Sequence, residues 1–207
     1  MNVQESYDSA ARAYAEHLFS ELDGKPLDRH LLNRLAEAVE SKGLVADLGC
    51  GPGHVAGYLS ERGVEVCGID LSPEMIRVAR EMSPDLDFRV GDMMSLDFAD
   101  GSLAAIVAFY SIVHFDLSEV AAVLKECRRV LAPSGLMLLA FHIGDGIVHA
   151  DDLFGQPVAL DFRFHQPRDV VNSLKENHFK VIESSEREPY EGAEHPSRRA
   201  YILARRD

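Results

Sequence analysis

Short apolar runs, each followed by glycine, proline or charged residues, alternate with segments of helical spacing through the middle of the chain. Such runs indicate buried strands, and apolar residues three or four positions apart indicate the helices that cover them. The predicted strands are Leu44–Leu48, Val64–Ile69, Phe88–Val90, Ala104–Phe109 and Leu136–Phe141. The predicted helices are Leu27–Ser41, His54–Glu61, one opening at Ser72-Pro73-Glu74, and Ser118–Leu131.

The last third of the chain follows a different pattern. Pro167–Asn177 predicts a helix, while Lys180–Glu186 and Arg199–Ala204 predict two strands that pair as a hairpin. His142–His165 predicts a long irregular insertion, and long loops at strand ends often cover or bind a ligand. We therefore expect an α/β fold with a doubly wound, mostly parallel seven-stranded sheet and an antiparallel C-terminal edge hairpin.

Length and charge narrow the function. The chain has 207 residues and a formal net charge of −13, which suits one domain (1–207) and disfavours nucleic acid or anionic lipid as partners. Its 3 cysteines form no disulfide or zinc pattern, and no segment is apolar enough for a signal peptide or a membrane span. We expect a cytoplasmic protein that acts on a small molecule, as a monomer or homodimer.

A glycine loop follows the first predicted strand, with the sequence Asp47-Leu-Gly49-Cys-Gly51-Pro-Gly53. Glycines at this spacing allow a tight turn and a close approach of the backbone to a ligand. Nicotinamide-dependent enzymes use similar turns, so the loop alone does not choose a cofactor. Asp47 suits a cationic amine and repels a pyrophosphate, and the chain has no Gly-Lys-Ser or Gly-Lys-Thr for a phosphate-cradling loop.

Two further carboxylates follow the next two strands. Asp70 comes after Val64–Ile69, where a carboxylate accepts hydrogen bonds from both ribose hydroxyls. Asp92 comes after Phe88–Val90, where it accepts from the exocyclic amine of adenine. Three acids at successive strand ends behind a glycine loop predict a cofactor with an amine, a ribose and an adenine.

These motifs resemble those of class I S-adenosylmethionine (SAM)-dependent methyltransferases. The glycine loop matches the first motif of that family, Gly68-Ile-Asp70-Leu-Ser-Pro-Glu-Met75 the second and Gly91-Asp92-Met93 the third; Pro133-Ser134-Gly135 resembles a later turn. The resemblance implies methyl transfer from SAM, with S-adenosylhomocysteine as product. It implies cofactor contacts from Asp47, Gly49, Cys50, Gly51, Gly53, Asp70, Leu71, Asp92, Met93, Tyr110 and Tyr14.

The N-terminal segment 1–26 carries Tyr7 and Tyr14 on one helix face. In similar methyltransferases such a segment folds over the cofactor, so the resemblance implies a lid, with Tyr7 near the acceptor. A helix that merely packs on the sheet edge is the alternative.

The acceptor site is predicted after the fourth strand. His114 suits a general base for a hydroxyl, thiol or acid, or a residue that only shapes the pocket. The Asp/Asn-Pro-Pro-Tyr signature of amide and adenine methylation is missing. The insertion 142–166 is expected to cap the substrate. Its histidines and acidic residues are of the types that bind metal ions, but they lack compact ligand spacing, so we predict no metal site.

The charged tail of the chain leaves several readings open. Three arrangements are possible for its polar side chains: an ionic network over the pocket, contact with a carboxylate acceptor, or an exposed charged loop. The residues concerned are Arg187, Tyr190, Glu194 and Arg198. The residues expected to contact the acceptor are Tyr7, His114, His142, His149, Arg187 and Arg198. Two other functions stay open: a nicotinamide-dependent oxidoreductase, which gives no role to Asp47 or Asp92, and a non-catalytic SAM-binding protein.

Overall fold

A computed structural model of the chain describes residues 1–191 and 194–207. The helices are α1 (Val3–Leu18), α2 (Pro26–Val39), α3 (His54–Ser60), α4 (Pro73–Met82), α5 (Leu117–Val130) and α6 (Pro167–Glu176). The strands are β1 (Val45–Leu48), β2 (Val66–Asp70), β3 (Asp87–Val90), β4 (Leu103–Phe109), β5 (Leu131–His142), β6 (Gly146–Leu153), β7 (Gln156–Phe164), β8 (Phe179–Arg187) and β9 (Arg199–Arg206). Single 3₁₀ turns cover Glu21–Gly24 and Ile112–His114.

Seven strands form one sheet in the order β3-β2-β1-β4-β5-β9-β8. Strands β1 to β5 are parallel, and β8 and β9 add the antiparallel edge that the sequence predicted. Helices α2, α3 and α4 cover one face of the sheet, and α5 and α6 cover the other. The strand order reverses beside β1, between β2 and β4, and ligands of such sheets bind at the carboxyl ends of the strands next to this point.

The prediction of an irregular insertion over His142–His165 is wrong. Most of this segment is a hairpin of β6 and β7, separate from the main sheet. The two turn residues Phe154 and Gly155 have φ of 55° and 78°, the positive values that a tight two-residue hairpin turn requires. Phe154 stacks on His17 of α1, with ring centroids 4.5 Å apart, so a tertiary contact holds a residue that is unusual in this conformation.

The fifth strand is also longer than predicted. It begins at Leu131 and continues through Pro133-Ser134-Gly135, where we expected a turn before the strand. Its register against β4 shifts between Leu131 and Leu136, and Ser134 has a φ of 64°, so the predicted turn is an irregularity within the strand. Among the described residues, no helix is both long enough and apolar enough to cross a membrane.

Candidate cofactor and acceptor site

Close packing explains the glycines of the loop after β1. Gly49 and Gly53 have φ of 68° and 84°, which favour glycine. A Cβ at Gly49 would lie 2.3 Å from the Cβ of Ser111, and one at Gly53 would lie 2.5 Å from a ring carbon of Phe88. The loop therefore lies directly against the residues that follow β4 and against β3, with no room for side chains.

Asp47, near the end of β1, is a buried carboxylate with an unused acceptor. Its exposure is 1%, and Oδ2 has no hydrogen-bond partner within the described part of the chain. Burial raises its pKa to about 7, although the backbone amide of Ala56 and, when it is protonated, His54 favour the ionised form. A buried carboxylate without a donor is costly, and a cationic amine bound here would remove that cost.

Asp70, at the end of β2, is oriented by two backbone amides. The N–H of Gly51 donates to Oδ2 at 2.8 Å, and the N–H of Ser72 donates to Oδ1 at 2.9 Å. Burial raises the pKa of this carboxyl although both bonds favour its ionised form. Each carboxylate oxygen accepts more than one hydrogen bond, so both keep capacity for the ribose hydroxyls that the sequence analysis assigned to Asp70.

The predicted adenine end lies beyond β2 and β3. Leu71 is 43% exposed, an unusual exposure for leucine beside a strand end, and offers an apolar surface to a ring. Asp92 accepts from the N–H of Met94 at 2.8 Å, while the Met93 side chain reaches back toward Gly49. A cavity of about 210 Å³ adjoins Asp92.

Another cavity, of about 770 Å³, is lined by residues that include Asn33, Gly43 and Arg62. It lies beside the amino ends of β1 and β2, at the opposite edge of the sheet from the glycine loop. Ligands of this fold bind at the carboxyl ends, so its larger volume does not make it the cofactor site.

Helix α1 lies over the glycine loop. A ring carbon of Tyr14 is 3.7 Å from the position of a Cβ at Gly51. The Asp8 carboxylate accepts from Ser72 Oγ at 2.6 Å and from the backbone N–H of Glu74 at 3.2 Å, which fixes α1 on the start of α4. The structure thus places Tyr14 beside the glycine loop.

Tyr7 links α1 to the predicted acceptor residue His114. The Tyr7 hydroxyl is 2.8 Å from His114 Nε2, and His114 Nδ1 is 2.9 Å from the carbonyl oxygen of Asp161 in β7. The carbonyl can only accept, so Nδ1 carries the proton and Nε2 is an acceptor. Burial lowers the pKa of His114, although the Asp161 carbonyl opposes the shift. The imidazole is therefore a neutral acceptor at neutral pH.

Aromatic rings continue from His114 along β7 and β5. The His114 ring lies 5.2 Å from Phe162, and His142 lies 5.3 Å from Phe164 and 5.1 Å from Tyr110, measured between ring centroids. Burial lowers the pKa of His142 to about 3, helped by the charge on Arg199, so this ring is also neutral. We call these five side chains the aromatic wall. Tyr110 has a φ of 54°, and strained backbone of this kind concentrates at functional sites.

Arg187 lies in a buried ionic network. It donates to both oxygens of Glu194 at 2.6 and 2.8 Å, to Asp28 at 3.2 Å and to the Tyr201 hydroxyl at 2.9 Å. A fifth bond goes to the Glu188 carbonyl at 3.1 Å, so all its N–H groups are engaged. Of the three arrangements considered for the charged tail, the structure shows the ionic network for Arg187 and Glu194.

Two predicted acceptor residues lie apart from the aromatic wall. His149, on β6, is exposed and contacts the carboxylates of Asp161 at 2.6 Å and Asp151 at 3.0 Å. Arg198 is exposed and pairs with Glu186 at 2.7 Å. Their contact with an acceptor stays a prediction without a nearby group to support it. Cys50, which was predicted to contact the cofactor, is 2% exposed, so it can contact a ligand only through its backbone.

Sequence reasoning missed three polar residues near the loop: Glu21, His54 and Ser111. None of the three belongs to a recognisable motif. The sequence offered one indication, which is that His54 directly follows Gly53 of the glycine loop. The structure places the His54 ring against Glu21 and buries a Ser111 hydroxyl that has no partner within residues 1–191 and 194–207. No three histidine, cysteine or acidic side chains of this same part of the chain are grouped so as to hold a metal ion.

Comparison with known proteins agrees with this geometry. Residues 45–135 match a family model described as a methyltransferase domain. The chain is 37% identical over 97 residues to demethylmenaquinone methyltransferase of Thermotoga maritima (46% of this chain, 42% of the relative). It is 33% identical over 101 residues to the ubiquinone biosynthesis O-methyltransferase of Xanthomonas oryzae pv. oryzae strain PXO99A (46% and 41%). The chain thus spans about two fifths of the length of these relatives.

The fold is shared with solved methyltransferases. A SAM-dependent methyltransferase from Methanosarcina mazei superposes with a TM-score of 0.72 at 21% identity, covering 79% of this chain and 92% of that one. Residues 45–135 are thus similar to a methyltransferase domain, and the chain has the fold of SAM-dependent methyltransferases. The predicted class, fold and cofactor are confirmed, and the nicotinamide alternative is not supported.

Proposed function

We propose that this protein transfers the methyl group of SAM to a hydroxyl, or to a similarly weak acid, of a small ring-bearing molecule. The observation that carries the proposal is His114, a neutral imidazole of the aromatic wall whose Nε2 accepts a hydrogen bond from the Tyr7 hydroxyl at 2.8 Å. In this proposal, the Tyr7 hydroxyl gives up Nε2 to the acceptor when the acceptor binds.

Bound SAM supplies an electrophilic methyl group on a sulfonium. Transfer of this methyl to the acceptor oxygen would release S-adenosylhomocysteine, and His114 Nε2 would take up the hydroxyl proton. The Asp161 carbonyl keeps the other proton on Nδ1, so Nε2 stays available as the acceptor. Asp47 and Asp70 would hold the cofactor, and the half-buried aromatic wall would orient the acceptor and limit its contact with water.

Charge and aromatic lining support the class of acceptor. Phe162, Phe164 and Tyr110 offer ring faces, and planar rings pack well on such faces. The guanidinium of Arg187 is fully engaged with Glu194 and its neighbours, which disfavours the carboxylate acceptor considered from the sequence. The relatives named for demethylmenaquinone and ubiquinone biosynthesis agree with a ring-bearing acceptor.

Two segments complete the proposed site. The segment 1–26 acts as a lid, since α1 touches the glycine loop through Tyr14 and the acceptor side through Tyr7. The segment 142–166 acts as the cap, and it is tied to the lid because Ser9 Oγ donates to the Pro157 carbonyl at 3.0 Å. Lid and cap would therefore open together.

The test is turnover with a panel of phenols, hydroquinones, aliphatic alcohols and thiols, followed as S-adenosylhomocysteine release. With an active acceptor, His114→Ala is expected to lower kcat about a hundredfold while the dissociation constant for S-adenosylhomocysteine stays unchanged. His30→Ala, an exposed histidine on α2, is the matched control and should keep wild-type turnover. Because burial lowers the pKa of His114, kcat/KM should fall only when the pH is below 6.5, the ordinary pKa of a histidine.

Full activity of His114→Ala would contradict the proposed base. Tight binding of S-adenosylhomocysteine with no turnover on any member of the panel would favour a non-catalytic SAM-binding protein instead.

A further inference from the structure

His54 carries a buried ring atom that the site described above leaves unused. The residue begins α3 directly after Gly53, and its side chain is 11% exposed. His54 Nε2 lies 3.1 Å from a carboxylate oxygen of Glu21, in the turn before α2. Burial alone would raise the pKa of Glu21, but the bond from His54 and the ammonium of Lys25 hold it at about 2. Glu21 is therefore an ionised acceptor.

An ionised acceptor at Nε2 fixes the tautomer of the neutral ring. In this neutral ring Nε2 donates to Glu21, so His54 Nδ1 presents a lone pair. This atom is buried and has no hydrogen-bond partner in the described portion of the chain. Lys25 also bonds Glu21, at 2.6 Å, so the carboxylate remains held in place whatever His54 does.

Asp47 Oδ2 is a second acceptor of the same kind. It too is buried without a partner among the described residues, and it belongs to the strand that feeds the loop between Gly49 and Gly53. Unsatisfied buried acceptors are rare in folded proteins and call for a donor. An alkylammonium group has three N–H bonds and satisfies two acceptors at once, whereas a carboxylate would be repelled by both.

We propose that His54, positioned by Glu21, accepts a hydrogen bond from the α-ammonium of the cofactor's methionine moiety and shares that group with Asp47. This inference rests on SAM being the cofactor and adds a specificity residue outside the acidic motifs. It assigns Glu21 as a positioning residue that fixes the ring and its tautomer.

Three ligands separate the parts of the cofactor. S-Adenosylhomocysteine has the ammonium and the carboxylate, S-adenosyl-3-thiopropylamine has only the ammonium, and 5′-methylthioadenosine has neither. His54→Leu is expected to weaken binding of the first two ligands about tenfold or more and to leave 5′-methylthioadenosine unchanged in calorimetric titrations. Glu21→Gln is expected to produce a smaller loss with the same ligand pattern.

His30→Leu, an exposed histidine on α2, is the matched control and should bind all three ligands like the wild type. If His54→Leu does not fold, His54→Gln, which keeps an acceptor oxygen, should fold and lose less affinity for the two amines. An equal loss for all three ligands would overturn the proposal in favour of a role in shaping the loop. A loss confined to S-adenosylhomocysteine would overturn it in favour of a carboxylate contact.

Unchanged affinity in both His54 variants would likewise overturn the proposal while leaving the cofactor assignment intact. Wild-type protein that binds none of the three ligands would contradict the cofactor itself, and the inference with it. The two failures are therefore distinguishable.

Discussion

Two groups of buried charged residues lie at the carboxyl ends of the strands, and they differ in how their hydrogen bonds are used. The loop cluster consists of Asp47, Asp70 and His54, and the hairpin cluster consists of Asp28, Arg187, Glu194 and Tyr201. In the loop cluster, Oδ2 of Asp47 and Nδ1 of His54 have no partner among the described residues.

The hairpin cluster is closed. Arg187 uses all its donors, and Asp28, which is 0% exposed, accepts from Tyr201 at 2.8 Å and from Arg187. Burial raises the pKa of Asp28 although these bonds favour its ionised form, whereas bonds from Arg187 outweigh burial and lower the pKa of Glu194 to about 2. Burial of charge alone therefore does not identify a binding site; unused hydrogen-bonding capacity does.

The largest effect is expected from opening the closed cluster. Arg187→Ala removes the guanidinium that donates to the carboxylates of Asp28 and Glu194, whose side chains are 1% and 2% exposed. The free energy of unfolding should fall by about 3–5 kcal/mol, measured by denaturant titration. Arg198→Ala, an exposed arginine of the same hairpin, should change it by less than about 0.5 kcal/mol. Equal effects of the two variants would show that the cluster is not closed as described.

Substitution in the loop cluster should instead weaken ligand binding without lowering the stability of the fold. Asp47→Asn is expected to weaken S-adenosylhomocysteine binding by about 10- to 100-fold, because a charged hydrogen bond to the ammonium is lost. Its stability should not fall. The folded-state pKa of Asp47, about 7, lies above its ordinary value of 3.8, so its stabilising contribution is complete below pH 3.8 and disappears as pH rises through 7.

Asp47→Asn lacks this group, so its unfolding free energy should rise relative to the wild type between pH 5 and pH 8. Asp85→Asn, an exposed acid, is the control and should change neither affinity nor the pH dependence. A large loss of stability with Asp47→Asn would place Asp47 in a closed structural network instead.

The smallest expected effect is a proton released on cofactor binding. The ammonium favours the ionised form of Asp47, whose pKa in the free protein is about 7. Binding of S-adenosylhomocysteine at pH 6 should release close to one proton, and binding at pH 8.5 should release almost none. Titration calorimetry in buffers of different ionisation enthalpy measures this directly. With 5′-methylthioadenosine, which lacks the amine, any comparable release would assign the proton to another group.

The loop cluster was largely visible in the sequence because its parts are local. Asp47, the glycines and Asp70 each sit at the junction of a short apolar run with a turn, where strand and helix periodicity mark position well. His54 was predicted only as the start of a helix and received no role in the site, because its significance depends on Glu21, 33 residues earlier in the chain.

The hairpin cluster and the cap were much harder to foresee. Asp28 and Arg187 are 159 positions apart, and only the folded chain brings them together. The β6–β7 hairpin was predicted as irregular because its exposed strand lacks alternation and its turn, Phe154-Gly155, lacks the usual asparagine or aspartate. The stacking of Phe154 on His17 of α1 stabilises this turn, and that contact is not visible in the local sequence.

Calorimetric titration of the wild-type protein with S-adenosylhomocysteine, with NADH titrated in parallel, tests the account most directly. The open loop cluster predicts micromolar binding of S-adenosylhomocysteine, about −8 kcal/mol, and no binding of NADH. Binding of NADH alone, or of neither ligand, would contradict the assignment of Asp47 and Asp70 to a SAM site.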